Sequence, residues 1–115
     1  MKNLSKKRCA ACDKETLLVS AEDVQAYLDL MPSWHLTEGG KSIERVYTFK
    51  NFVENMHFVD SAADIAEEEG HHPDMHIFYD KLRIEIYTHA IGSLSEADFV
   101  LASKIETLHE NMHSI

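Results

Sequence analysis

Residues 82–89 read LRIEIYTH. Leu82, Ile84 and Ile86 alternate with Arg83, Glu85 and Tyr87, and His89 continues the polar series. Successive side chains on a strand point to opposite faces, so this period of two predicts a half-buried strand with an apolar face and a polar one. The neighbouring elements follow from it. Asp80-Lys81 makes a tight turn, and Met75 to Tyr79 is a strand that can pair across it. Earlier in the chain, Trp34 to Leu36 is a short strand and Glu38-Gly39-Gly40-Lys41 a turn. Ile43, Arg45, Tyr47 and Phe49 then alternate along another strand. Helices fall between these pairs. Ser20 caps the first, with Val24, Tyr27, Leu28 and Met31 at helical spacing, and Pro32 ends it. Asn51 followed by Glu54 resembles a capping box. It opens a long helix whose expected stripe is Phe52, Met56, Val59, Ala63 and Ala66, closed by Gly70. Ser95 caps the last helix, with Ala97, Leu101, Ile105, Leu108 and Met112 as its expected buried stripe.

The order α-β-β-α-β-β-α defines an α+β fold: a four-stranded antiparallel sheet with helices packed on one face. Residues 1–18 form a polar leader carrying Cys9-x-x-Cys12, and residues 19–115 a single domain. With helices on one face only, the other must meet solvent or a partner. Tyr47 and Tyr87 are expected there among charges, and a homo-oligomer is expected over a monomer.

A chain of 115 residues with 44% hydrophobic residues is a globular domain of ordinary size. No apolar run approaches the roughly 18 residues of a membrane span. The basic start (Lys2, Lys6, Lys7, Arg8) lacks an apolar signal region, so a cytoplasmic protein is expected. A formal net charge of −9 argues against a nucleic-acid partner. Cys9 and Cys12 supply at most half of a tetrahedral zinc site, and a redox pair ordinarily opens a helix beside a strand rather than sitting in a polar leader.

The chemistry concentrates in EEEGHHPDMH, residues 67–76. Pro73 disfavours the α region for His72, so its backbone is expected to be extended and the adjacent rings of His71 and His72 to point apart. Glu67, Glu68 and Glu69 occupy the last helical turn, where carboxylates oppose the helix dipole. Three readings compete: a polar surface loop, a metal site using His71, His72 and His76 with a carboxylate, and metal-free acid–base chemistry. The spacing matches no common zinc motif, and Pro73 breaks any helical ligand pair. Imidazole, with a pKa of about 6.5, suits proton transfer near neutral pH.

The stretch from Trp34 to Ile105 resembles the pterin-4a-carbinolamine dehydratases. The match lies in Glu67-x-x-x-His71-His72-Pro73, then Tyr79, Thr88-His89, Leu94-Ser95-x-x-Asp98 and Leu101-Ala102. The resemblance implies dehydration of 4a-hydroxytetrahydropterin to quinonoid dihydropterin and water, serving aromatic amino-acid hydroxylases as metabolic neighbours. It also implies a homodimer or homotetramer and no metal or organic cofactor. It places His71, His72 and His89 in one pocket, with His72 and His89 as the acid–base pair. His71 would position the pterin or the leaving hydroxyl, with Glu67 as its orienting partner. Pro73, and Thr88, Ala90 and Ile91 as strand-end backbone, would help bind substrate, and Trp34 would wall the site or belong to the core. Asp98 is read as a helix cap partnering Ser95. His109 and His113, on the last helix outside the motif, are expected to be inert.

One departure is Ser93, where the family usually has glycine, in the loop near His89. The alternatives are a non-catalytic pterin-binding or dimerisation module, as the fold serves in animals for a homeodomain transcription factor, and a metal-binding His/Cys protein.

Overall fold

The computed structural model describes residues 19–113; the leader with Cys9 and Cys12 lies outside them. The elements are α1 (Ala21–Leu30), β1 (His35–Leu36), β2 (Ile43–Thr48), α2 (Phe52–Glu69), β3 (Asp74–Ile77), β4 (Lys81–Ile86) and α3 (Glu96–His113). This is the α+β order expected, and the four strands form one antiparallel sheet in the order β1-β2-β4-β3.

The alternation at 82–86 sets the core. Leu82, Ile84 and Ile86 have no exposed surface. Each such side chain contributes about 1.5–3 kcal/mol by leaving water. They pair in register with Tyr47, Arg45 and Ile43 on β2, so those three lie on the covered face as well. Phe58 and Ala62 of α2 and Phe99, Val100, Leu101, Ala102 and Ile105 of α3 close over them. On the opposite face Arg83 reaches Glu44 at 3.0 Å and Glu85 at 3.6 Å. Such part-exposed pairs add little to stability. Among the described residues no helix is long and apolar enough to cross a membrane.

Four expectations are corrected. Tyr47 does not stand on the open face. It is 1% exposed, because it shares the phase of Ile43 and faces Leu82 across the pairing. Its hydroxyl donates to Glu106 Oε1 at 2.8 Å. Arg45 Nε at 2.9 Å and Trp34 Nε1 at 3.1 Å donate to the same oxygen, making the part-buried Glu106 a polar hub at the edge of the core. Burial alone would push the Glu106 carboxyl up, but the bonds from Arg45, Tyr47 and Trp34 and the Arg45 charge hold it below the usual carboxylate range.

The buried stripe of α2 is Asn55, Phe58, Ala62 and Ala66, rotated from the one expected; Phe52 and Ala63 are exposed. Asn55 explains the rotation. Its Nδ2 donates to the carbonyls of Phe78 and Lys81, tying α2 to the β3–β4 turn. On α3, Met112 is 36% exposed rather than buried. His109 is not a bystander either, for its ring packs 4.6 Å from Tyr47 and 5.6 Å from Phe58.

Candidate active site

The caps deliver the site residues. Asn51 receives Glu54 N–H at 2.9 Å and starts α2. Gly70 closes that helix at φ 67°, a left-handed conformation that a residue with a Cβ adopts only under strain. His71 N–H then returns to Ala66 O at 3.1 Å, fixing the backbone of the histidine pair against the helix end.

His71 and His72 diverge from there. His71 is 3% exposed and its Nε2 meets Asp98 Oδ1 at 2.5 Å. His72 is turned outward, its side chain 62% exposed, and its Nε2 meets Glu67 Oε2 at 2.7 Å. Glu67 therefore partners His72 and not His71, the reverse of the expectation. A residue five positions back on the last turn of α2 is in reach of the ring that swings out, while the inward ring is claimed by α3.

Asp98 is the residue sequence reasoning undervalued. It has no exposed surface. Its Oδ2 accepts Ser95 N–H at 2.7 Å, the helix cap expected, but also the Thr88 hydroxyl at 2.9 Å. A carboxylate only accepts, so Thr88 donates to it, and the Ser95 hydroxyl, 2.7 Å from Thr88 Oγ1, donates in turn to Thr88. The same logic makes His71 Nε2 a donor. Asp98 thus ties together the start of α3, the end of the β4 segment and the first histidine of the pair.

Beyond β4 the chain turns back at once. Thr88 N–H donates to Ser93 O at 2.9 Å, Ile91 N–H to Thr88 O at 3.2 Å and Gly92 N–H to His89 O at 3.3 Å. The loop's left-handed residue is Gly92, φ 60°, and no residue other than glycine has positive φ among those described, so Ser93 sits there without backbone strain. His89 lies in this loop rather than within β4. The backbone N–H groups of Thr88 and Ile91 are spent inside the loop rather than presented as an open strand end.

Gly70, His71, His72, His89 and Ala90 line one pocket of about 350 Å³. Two loops eighteen residues apart in sequence (His71 to His89) thereby bring three imidazoles to one cavity. Ile91 and Pro73 do not line it. Trp34 does not either; it is 2% exposed in the core, bonded to Glu106. A larger concavity on the open sheet face, with Thr37, Lys41, Glu44, Arg83 and Glu85 in its lining, contains no histidine. The three imidazoles are gathered in the smaller one. Among the described residues no three His, Cys, Asp or Glu side chains gather as metal ligands.

Fold and site define a class: a sheet-and-helix α+β domain with a histidine pocket held from the N-terminus of its last helix. The chain belongs to the pterin 4 alpha carbinolamine dehydratase family, whose profile matches residues 18–108. It is 38% identical over 111 residues to a Marinobacter nauticus protein provisionally named a pterin-4-alpha-carbinolamine dehydratase, covering 95% of this chain and all of that one. It is 39% identical to Arabidopsis thaliana pterin-4-alpha-carbinolamine dehydratase 2, across 92% of this chain and 59% of the plant protein. Among solved structures, a transcriptional coactivator/pterin dehydratase from Brucella melitensis superposes with a TM-score of 0.77 at 25% identity, over 80% of this chain and 98% of that one. A pterin dehydratase-like RuBisCO assembly factor of the alpha-carboxysome shares the fold, with a TM-score of 0.58 over 66% of this chain and 88% of its own.

Proposed function

We propose that this protein dehydrates 4a-hydroxytetrahydropterin to quinonoid dihydropterin by histidine acid–base catalysis. The observation that carries the reading is the pocket in which His71, His72 and His89 converge. The reaction needs two proton transfers. A base takes the N5 proton, the freed electron pair forms the C4a=N5 double bond, and the C4a–O bond breaks as an acid protonates the departing hydroxyl. Water leaves and nothing is oxidised or reduced. His72 and His89, the outward-facing rings, are the acid–base pair, and passing one proton between them resets the site. His71, buried and locked on Asp98, forms the rigid wall against which the substrate is oriented. Glu67 acts through His72 by holding its ring.

The reading brings the further expectations of the family resemblance: homo-oligomeric assembly, a cytoplasmic setting and an aromatic amino-acid hydroxylase as source of the substrate. A binding or assembly role, which the names of the two solved neighbours suggest for those proteins, is the other outcome of the same test. Chemically prepared 4a-hydroxytetrahydropterin is followed by absorbance as it dehydrates, with and without the protein, before and after chelation. Acceleration that survives EDTA is expected. No acceleration would favour the binding role, and activity lost to EDTA and restored by zinc would overturn the metal-free mechanism.

A further inference from the structure

His71 and His72 each have a carboxylate partner, Asp98 and Glu67. His89 is positioned differently. Its backbone is fixed by the loop bonds between Thr88, Ser93 and Gly92, while its side chain is exposed at the pocket rim. What meets that ring is another ring. Tyr87 stacks on it, centroids 4.2 Å apart and planes inclined by 30°. On extended backbone, residues i and i+2 project to the same side, so Tyr87 and His89 emerge together while Thr88 between them turns inward to Asp98. Tyr87 is half-buried and lines the open-face concavity with Arg83, Glu85 and Gly92. Tyr87 thus lines the open-face concavity while stacking on His89, which lines the histidine pocket.

We infer that Tyr87 is a positioning residue for His89, holding the imidazole in one orientation toward the pocket without itself touching the substrate. This rests on the dehydratase reading for its consequence in catalysis. The size of the effect follows from the side chain's freedom. An unrestrained histidine has about three χ1 wells and roughly two orientations of χ2. Releasing a ring held in one of them dilutes the productive orientation by roughly three- to six-fold.

The test compares Tyr87→Phe, Tyr87→Leu and Tyr87→Met with the parent protein. The first keeps the ring and drops the hydroxyl; the other two keep apolar volume and drop the ring. Ring protons of His89, assigned by their loss in His89→Gln, should be shifted upfield by the stacked ring in the parent and in Tyr87→Phe, and move toward free-imidazole positions in the other two. The kcat for dehydration should fall roughly three- to six-fold in Tyr87→Leu and Tyr87→Met with KM unchanged, and recover in Tyr87→Phe. The inference is overturned if the His89 signals do not move when the ring is removed, or if they move and kcat does not. Should the parent prove inactive on the pterin, the dehydratase reading fails with the catalytic half of the inference, and the shifts alone decide whether Tyr87 holds His89.

Discussion

Replacing Asp98 by asparagine isolates what its charge does, because the shape is kept. The carboxylate accepts three hydrogen bonds, from His71 Nε2, Thr88 Oγ1 and Ser95 N, in a position with no solvent exposure. An asparagine has one acceptor oxygen. Oδ2 serves two donors in the parent, so the amide oxygen takes that place and the NH₂ group faces His71. Two hydrogen-bond donors then confront each other, and the encounter is relieved only if His71 moves its proton from Nε2 to Nδ1. Bonds to a charged acceptor contribute about 1.5–3 kcal/mol each and neutral ones about 0.5–1.5. Passing from three of the first kind to two of the second, with the favourable charge at the helix N-terminus also lost, destabilises by about 3.5–6 kcal/mol. For a chain of this length that lowers Tm by about 14–24 °C. Denaturant unfolding gives the first quantity, and nitrogen-15 shifts of the imidazole report the tautomer. Activity should fall by roughly 10² or more, since a misdirected histidine no longer orients the substrate. Stability within about 0.5 kcal/mol of the parent, the scatter of ordinary surface changes, with an unchanged His71 spectrum, would refute the reasoning.

His72→Ala and His89→Ala should each slow dehydration by roughly 10² or more; small, equal effects would remove both from the acid–base pair. His109→Ala should leave kcat unchanged and destabilise by about 2 kcal/mol, read by denaturant unfolding, because its ring packs on Tyr47 and Phe58. Glu67→Gln should lower activity while Glu68→Gln does not, because Glu67 holds the His72 ring; equal rates would reduce the acidic run to a solvated helix end. Glu106 ionises more readily folded than unfolded, so its contribution is complete above the ordinary glutamate value of about 4.3 and is lost as pH falls through its lower folded value. Acid unfolding of Glu106→Gln should therefore be shallower below about pH 4 than that of the parent, and parallel curves would contradict this. The edge strand β3 and its turn expose Ile77, Phe78 and Tyr79 at 45%, 56% and 68%; sedimentation should give a dimer or larger that Phe78→Glu dissociates, and a monomeric parent would count against assembly through this edge.

The strands were legible because a period of two leaves little choice: Leu82, Ile84 and Ile86 can only share a face, and that face is the core. The same rule applied to Ile43, Arg45 and Tyr47 puts Tyr47 inside, against the expectation that it stands among charges on the face the helices leave uncovered. What settles it is Glu106, 59 residues further on, which satisfies both groups. Helix α2 misled for a related reason. Its buried face includes Asn55, whose value lies in two carbonyls of a turn more than twenty residues away, while Phe52 and Val53 spend their hydrophobicity on the surface. The histidine pair, its divergence at Pro73 and the convergence of His89 were readable from local rules and family resemblance. The partner of His71 was not. A cap aspartate uses one oxygen locally, and nothing in the spacing tells where the other oxygen goes.

The Glu106 hub also bears on how the chain is made. Trp34, Arg45 and Tyr47 precede their common acceptor by 72, 61 and 59 residues. At synthesis rates of about 5–20 residues per second, they wait roughly 3–14 s before it has even been polymerised. Through that interval a nascent β1–β2 pair carries a guanidinium and a phenol on the side that must become dry. It can be hydrated but not sealed. Those polar groups find their common carboxylate acceptor only once α3 is in place. A ribosome stalled before Glu106 is therefore expected to hold a protease-sensitive chain whose apolar strand face is still open.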